Sequence, residues 1–180
     1  MNISDRQKIL SLLQLHAVKI DKEPTYELSS GEKSQHYVDV KKVALHGPAQ
    51  LPLANLLAVE VNTFCPDAVA GVALGGCHLA SIVAATRWGL APLDVIYVRK
   101  EMKGYGTKKL VESPPIQQGR IVLVEDVITT GASSSKAIHL LREEGHEVVG
   151  LVAVVDRRTT KDKWFNGVNV KALFTLEELL

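Results

Sequence analysis

The run 121–135 has the clearest chemical potential in this chain, because an apolar stretch is followed by two carboxylates and then by a hydroxyl-rich turn. Residues 121–124 are four consecutive apolar β-formers, typical of a strand buried on both faces of a parallel sheet. Glu125 and Asp126 follow at the end of this strand, where carboxylates can accept hydrogen bonds from vicinal ribose hydroxyls. The turn at 129–133 offers backbone N–H groups, hydroxyls and the positive end of a helix dipole, which favour phosphate. The run predicts a site for a phosphorylated sugar.

Other interpretations of this run are a helix cap with two solvated acids, or a nucleotide-binding loop. Walker A requires Gly-Lys-Ser/Thr and the Rossmann fingerprint requires G-x-G-x-x-G, and the run contains neither pattern. The order of apolar strand, acid pair and Thr-Thr-Gly instead resembles the phosphoribosyltransferase signature, which binds 5-phosphoribosyl 1-diphosphate (PRPP).

The composition is that of an ordinary globular protein, with 46% apolar and 23% charged residues, and 180 residues suit one domain. The formal net charge of +1 gives no reason to expect nucleic acid or an anionic membrane as a partner. No stretch approaches the ~18 apolar residues that cross a bilayer, and the first residues lack the apolar region of a signal peptide. Cys65 and Cys77 indicate neither a zinc site nor a disulfide framework. We expect a cytoplasmic protein with free thiols.

Strand and helix patterns alternate along the chain. They predict a first helix capped by Ser4, short strands within 25–43, helices at 48–64, 79–88 and 134–144, and core strands at 68–74, 94–98, 121–124 and 148–155. This alternation calls for a parallel sheet with right-handed crossovers. We expect a single α/β domain at 1–180, with a core at 47–158 and a small flap, or hood, formed by 1–46 and part of the carboxyl terminus.

Each predicted core strand is followed by a polar or glycine-rich loop. In chain order these loops contain Gly75 and Gly76, Arg99 and Lys100, Glu125 and Asp126, and Arg157. Parallel strands direct all such loops to the same edge of the sheet, where ligands of open α/β sheets bind. The four loops are therefore predicted to form one site.

The loop that follows the second core strand carries five cationic side chains among residues 99–109, and it contains two glycines. Alone, such a run is commonly a solvated surface loop. Beside a phosphosugar turn, it predicts a mobile lid at 99–113, whose lysines stabilise the charge that develops on a diphosphate leaving group and exclude water.

With these loops identified, nearly the whole chain resembles an orotate phosphoribosyltransferase. The similarity is carried by the acid-pair run, the Arg-Lys-x-x-Lys-x-Tyr-Gly lid, the flap Ser-Gly-x-x-Ser-x-x-Tyr-x-Asp at 30–39, and Val-Asp-Arg at 155–157. The resemblance implies a type I phosphoribosyltransferase fold and the conversion of orotate and PRPP to orotidine 5′-monophosphate and diphosphate in pyrimidine synthesis. It further implies Mg²⁺ carried by the diphosphate and the ribose hydroxyls without dedicated protein ligands, and a homodimer whose lid reaches the partner's site.

The resemblance also assigns residues. The catalytic residues are Lys103, Lys100, Asp126 and Glu125, with Lys103 the main contributor to rate and the two carboxylates holding the ribose hydroxyls. The PRPP-binding residues are Arg99, Lys100, Lys103, Tyr105, Gly75, Gly76, Glu125, Asp126, Val127, Ile128, Thr129, Thr130, Gly131, Ala132 and Ser133. The orotate-binding residues are Arg157, which pairs with the carboxylate, together with Thr129, Tyr37 and Val38. Whether Lys100 and Lys103 serve the same subunit stays open.

The chain departs from many family members at three positions. Ser29 and Gly75 stand where lysine is frequent, and Tyr105 stands where histidine is frequent. Two alternative functions also stay open: a phosphoribosyltransferase for another base, and a non-catalytic regulator that senses PRPP. Comparing activity with orotate to activity with adenine, guanine or uracil distinguishes an orotate enzyme from a transferase for another base. The intact lid lysines argue against the regulator.

Overall fold

The computed structural model describes residues 3–27, 31, 33–86, 92–101, 109–116, 118–160 and 162–180. Its helices are α1 (Ile3–Leu12), α2 (Lys41–Ala44), α3 (Gly47–Asn62), α4 (Gly75–Ala85), α5 (Ala132–Glu143) and α6 (Leu176–Leu179), with a π-helical turn at Leu13–Ala17. The strands are β1 (Val18–Ile20), β2 (Tyr26–Glu27), β3 (Lys33–Ser34), β4 (His36–Val38), β5 (Ala68–Val72), β6 (Asp94–Val98), β7 (Val111–Glu112), β8 (Arg120–Ile128), β9 (Glu147–Asp156), β10 (Trp164–Phe165) and β11 (Val168–Thr175). None of these helices is both long and apolar enough to cross a membrane.

Seven of the strands form the central sheet, in the order β10-β11-β9-β8-β5-β6-β7. The five inner strands are parallel, and the short end strands β10 and β7 are antiparallel to their neighbours. This arrangement confirms the predicted α/β class. The chain passes from β5 to β6 on one side and returns to β8 on the other, so the strand order reverses between β5 and β8. Such a reversal opens a crevice at the carboxyl ends of the strands.

The sheet is buried on both faces, as the apolar run of β8 predicted. Because strand side chains alternate between faces, Val122 and Val124 pack in the layer beneath α1, α3 and α4, and Ile121 and Leu123 pack in the layer beneath α5. All four side chains are fully buried. The double cover holds the carboxyl end of β8 rigidly at the crevice.

A small antiparallel layer lies beside the carboxyl ends of the core strands. It consists of the β1–β4 pair, with Val18 opposite Val38, and the β2–β3 pair, with Tyr26 opposite Ser34. Arg157, which follows β9, ties this layer to the core by donating to the carbonyl of His36 at 3.0 Å. The region corresponds to the predicted flap.

The structure differs from the sequence-based expectations at four places. Helix α1 already includes residue 3, so Ser4 is not its N-cap. Helix α4 begins at Gly75, four residues earlier than predicted, so the glycine pair forms its first turn instead of a preceding loop. Strand β8 continues through the acid pair to Ile128. The hairpin formed by β10 and β11 was not predicted, and β11 adds a fifth parallel strand to the core.

Candidate active site

The crevice between the ends of β5 and β8 contains a cleft of about 440 Å³. Residues from the flap, the β5–α4 turn, the start of the lid, β8 and the first turn of α5 meet there. They are Lys41, Val72, Ala73, Leu74, Gly75, Lys100, Glu125, Asp126, Val127, Ala132 and Ser133. Three of the four loops that were predicted to converge, those after β5, β6 and β8, therefore line one cavity.

The carboxylate of Asp126 lies directly against the first turn of α4. A Cβ atom added to Gly75 would overlap Oδ2 of Asp126, and one added to Gly76 would lie 2.5 Å from the carbonyl oxygen of Val124. Both glycines are required by the close approach of α4 to β8. This close packing sets the Asp126 carboxylate, 22% exposed, at the wall of the cleft. Its Oδ1 accepts the Val127 N–H at 2.8 Å, which fixes the orientation of the side chain.

Glu125 lies in a different environment from its neighbour, because consecutive residues of a strand point to opposite faces. Its side chain is buried, with the residue 3% exposed, and it accepts hydrogen bonds from Ser134 Oγ at 3.0 Å and Ser133 Oγ at 3.4 Å. Burial and the nearby Asp126 charge raise the pKa of Glu125 to about 8, against the opposing effects of the two serines and Lys100. At neutral pH, Glu125 is mainly protonated and braces the start of α5.

The raised pKa of Glu125 predicts a pH-dependent stability. Between pH 4.5 and about 8 the folded chain keeps a proton that the unfolded chain has lost, so the free energy of unfolding falls as pH rises through this window. Glutamine keeps an acceptor for Ser134 but cannot ionise. As pH rises from 5 to 9, we expect the free energy of unfolding of Glu125→Gln to increase by about 2–4 kcal/mol relative to that of the parent chain. Denaturant unfolding at both pH values measures this gain, and parallel pH profiles for the two proteins would contradict it.

Lys41, which follows β4, is a site residue that sequence reasoning missed. Its Nζ lies 2.7 Å from Asp39 Oδ1 and 3.8 Å from Asp126 Oδ2, and its side chain lines the cleft. The hydrogen bond to Asp39 raises the pKa of Lys41, so the side chain is cationic at neutral pH. The only sequence signal was a lysine two residues after Asp39, at the end of the flap motif.

The first residues of the predicted lid differ in their environments. Lys100 lines the cleft, and its carbonyl accepts a hydrogen bond of 2.9 Å from Lys136 of α5. Arg99 is not among the residues lining the cleft; its Nε pairs with Glu112 at 3.0 Å, and its N–H donates to the carbonyl of Leu110 at 2.8 Å. Lys103 and Tyr105 lie outside the described residues.

The phosphate turn predicted at 129–133 lies between the end of β8 and the first turn of α5. Gly131 precedes α5 with a φ of 77°, which only glycine adopts easily, and no side chain caps the helix. The first N–H groups of a helix have no intrahelical acceptor, and here they are at Ala132 and Ser133, both of which line the cleft. The turn thus offers donors to an anion.

The predicted orotate residues lie next to this turn, at the flap. The N–H of Arg157 donates to the carbonyl of Ile128 at 2.8 Å, which places Arg157 beside Thr129. The guanidinium is partly buried, which lowers its pKa, and its Nε has no hydrogen-bond partner among the described residues. Tyr37 stacks on Tyr26 with ring centroids 5.6 Å apart, whereas Val38 is buried in the core. Arg157 therefore keeps a buried Nε that has no hydrogen-bond partner among the described residues, Tyr37 is a partly exposed ring on the flap, and Val38 contributes packing.

The carboxylate oxygens in the cleft fit a magnesium ion that arrives with a substrate. Magnesium prefers oxygen ligands and is commonly held by one or two carboxylates together with substrate phosphates. The cleft supplies the Asp126 carboxylate at its wall. No group of three or more His, Cys, Asp or Glu side chains that could hold a metal occurs in the described part of the chain.

Comparison with known proteins shows the class of protein to which this chain belongs. The model of the phosphoribosyl transferase domain family matches residues 48–174. The chain is 36% identical to the orotate phosphoribosyltransferase of Aquifex aeolicus, over the full length of both chains. The crystal structure of orotate phosphoribosyltransferase from Aeropyrum pernix superposes with a TM-score of 0.79 at 31% identity, covering 96% of each chain. The crystal structure of the Mycobacterium tuberculosis orotate phosphoribosyltransferase in complex with PRPP superposes with a TM-score of 0.76 at 28% identity, covering 97% of this chain and 98% of that one.

This chain therefore belongs to the orotate phosphoribosyltransferases, a group of pentosyltransferases, as the sequence resemblance predicted. Membership of this family does not favour the two alternatives that the sequence left open, a phosphoribosyltransferase for another base and a non-catalytic regulator that senses PRPP.

Proposed function

We propose that the protein transfers the 5-phosphoribosyl group of PRPP to orotate, yielding orotidine 5′-monophosphate and diphosphate in pyrimidine biosynthesis. The observation that carries this proposal is the cleft at the reversal of strand order, where a fixed carboxylate, two lysines and a helix N-terminus face one cavity. Each group has a counterpart on PRPP: Asp126 for the ribose hydroxyls, Lys41 and Lys100 for the diphosphate, and the turn before α5 for the 5′-phosphate.

The proposed reaction needs no covalent nucleophile from the protein. The bond between ribose C1 and the diphosphate oxygen breaks as a bond to orotate N1 forms, and the N1 proton of orotate passes to the released diphosphate or to water. Positive charge develops on the ribose and negative charge on the leaving diphosphate. Positioned opposite charges stabilise such a transition state in a water-poor site. Asp126 would hold the ribose hydroxyls, and Lys100, with Lys103 of the predicted lid, would stabilise the diphosphate. Magnesium, when bound, would neutralise further charge on the diphosphate.

Recognition of orotate is assigned to Arg157. The guanidinium is partly buried, and among the described residues its Nε has no hydrogen-bond partner, so a substrate carboxylate that reaches it can form a charge-assisted contact. The stacked Tyr26–Tyr37 pair lies on the same flap and offers an aromatic surface to a flat ring. These features select a pyrimidine that carries a carboxylate.

We propose that the protein is a cytoplasmic homodimer with a lid that reaches across subunits. The hood would comprise 1–46 with part of the carboxyl terminus, the core would comprise 47–158, and the lid would comprise 99–113. Exposed apolar residues support the dimer: Leu74, which lines the cleft, is 81% exposed, Leu45 is 61% exposed and Tyr97 is 40% exposed. Side chains of this kind commonly become buried in subunit interfaces.

A direct assay tests the activity. Purified protein with PRPP and Mg²⁺ should consume orotate, followed by the loss of its ultraviolet absorbance, and release one diphosphate per orotidine 5′-monophosphate. Adenine, guanine and uracil in place of orotate should give little product. Turnover of another base at the rate of orotate would contradict the assignment, as would PRPP binding without turnover of any base.

The proximity of Lys41 to the cleft predicts a role in binding PRPP. Lys41→Met keeps the length of the side chain but removes the cation beside Asp126, so we expect the KM for PRPP to rise about tenfold, with a smaller change in KM for orotate. Lys42→Met is the matched control, because Lys42 is exposed and does not line this cleft. Steady-state kinetics on both variants decide the point. Equal effects of the two substitutions would exclude a specific role for Lys41.

A further inference from the structure

The hairpin between β10 and β11 contacts the helix that begins at the phosphate turn. Its two-residue loop is Asn166-Gly167, with φ values of 51° and 75°. Asn-Gly with positive φ at both positions is the preferred two-residue connection of a hairpin, because its twist matches that of the strands. The pair Phe165–Val168 closes the loop, so the tip has a defined conformation.

Three contacts join this tip to α5 and to the residue before it. The ring of Phe165 packs directly on Gly131, so closely that a Cβ added to this glycine would overlap the ring. The side-chain amide of Asn166 donates to Ser135 Oγ at 2.7 Å. Arg142, two turns further along α5, donates to the carbonyl of Asn166 at 3.2 Å.

Within the phosphate turn, the Ser133 side chain is held by its 3.4 Å hydrogen bond to Glu125, whereas Gly131 and Ala132 have little support. No side chain caps α5, and within the turn the Ala132 N–H makes only a long 3.4 Å contact with Thr130 Oγ1. Gly131 adopts its positive φ without a Cβ to restrict alternatives, and glycine is the residue with the most conformational freedom. The Phe165 ring occupies the space that any large movement of Gly131 would need. The hairpin tip therefore limits the turn from outside.

We propose that Phe165 and Asn166 are positioning residues for the 5′-phosphate of PRPP, which hold the turn at 129–133 in its binding conformation without touching the substrate. This inference rests on the proposed function of the cleft. A turn that is ordered before binding does not have to be ordered by the ligand, so loss of either contact should weaken phosphate binding more than it slows the chemical step.

The test uses Phe165→Ala and Asn166→Gly. Glycine tolerates the positive φ of position 166 and removes only the amide contact. For each variant we expect the KM for PRPP to rise about tenfold, with kcat and the KM for orotate changed less than about threefold. Phe165→Leu keeps apolar bulk against Gly131 without extending the side chain beyond the ring end, and it should restore part of the loss. Trp164→Ala is the matched control, because Trp164 lies on the same hairpin but is 61% exposed.

A second readout separates positioning from general stability. Amide hydrogen exchange at 129–135 in the ligand-free protein should accelerate in Phe165→Ala and Asn166→Gly but not in Trp164→Ala, and ribose 5-phosphate should restore protection. Unchanged exchange and KM in both variants, or an equal effect of Trp164→Ala, would overturn the inference. An inactive parent protein with accelerated exchange in the variants would instead count against the proposed function, so the two failures are distinguishable.

Discussion

Replacing Arg157 with alanine should lower kcat/KM for orotate by about a thousandfold, the largest effect expected of any residue in the described structure. Removing one partner of a desolvated charge pair costs about 2–5 kcal/mol, and about 4 kcal/mol corresponds to three orders of magnitude. Arg157 meets these conditions because it is partly buried and because, among the described residues, its Nε has no hydrogen-bond partner and its side chain pairs with no carboxylate. Steady-state kinetics with orotate as the varied substrate measure the loss.

Two comparisons make the Arg157 prediction specific. Uracil lacks the carboxylate, so Arg157→Ala should reduce the preference for orotate over uracil towards unity. Arg158→Ala is the matched control, because Arg158 already binds the carboxylate of Asp156 through both Nε and NH2 and should have little effect on orotate. Arg157 also holds His36 of the flap, so melting temperatures must accompany the kinetics. An unchanged preference for orotate in a folded Arg157→Ala protein would remove this residue from carboxylate recognition.

Lys103→Ala should reduce turnover at least about a hundredfold, with only a modest change in PRPP affinity. A cation that meets the diphosphate as its charge develops stabilises the transition state more than the bound substrate, and one such group is worth about 3–4 kcal/mol. The prediction rests on the sequence, since Lys103 lies outside the described residues. Single-turnover measurements at saturating PRPP give the chemical rate directly.

A lysine in the same segment provides the control, and subunit mixing locates the action. Lys108→Ala removes a cation from the lid without changing the family motif and should retain most activity. Mixing Lys103→Ala subunits with Arg157→Ala subunits tests the shared lid: recovery of about a quarter of the parent activity indicates that Lys103 acts in the partner's site. No recovery indicates that it acts within its own subunit. Unchanged turnover in Lys103→Ala itself would exclude this lysine from the mechanism.

The sequence predicted the features that depend on short-range patterns. The apolar run of β8 and the alternation of helices with strands indicated a parallel sheet, and parallel strands necessarily bring the following loops to one edge. The convergence of Gly75, Lys100 and Asp126 on one cleft follows from this rule. The family motifs then distinguished this chain from other sugar-phosphate proteins.

Features that depend on tertiary packing were not predictable in the same way. Lys41 became a site residue only because the flap places it against Asp126. Glu125 and Asp126 looked equivalent in sequence, but continuation of β8 buries the Glu125 carboxyl against the serines of α5 and leaves the Asp126 carboxylate partly exposed at the cleft. The glycine pair was predicted to form a loop, but it lies in the first turn of α4, where the close packing on β8 requires glycine. The Asn166-Gly167 signal was present in the sequence, but β10 has only two residues, so one side of the hairpin gives too short a pattern for detection.

The pairing of β6 with β7 sets a geometric limit on the lid. The Arg99 N–H to Leu110 carbonyl bond and the Arg99–Glu112 ion pair fasten both ends of the segment to the same sheet edge. An extended chain advances at most ~3.6 Å per residue, so the backbone of Lys103 stays within roughly 18 Å of the end of β6. A diphosphate that the Lys103 ammonium contacts must therefore lie no farther from the end of β6 than this distance plus the length of the lysine side chain. The pairing of the two edge strands thereby limits the distance from its own sheet edge at which the segment can act, and lengthening the segment by several residues would extend that distance.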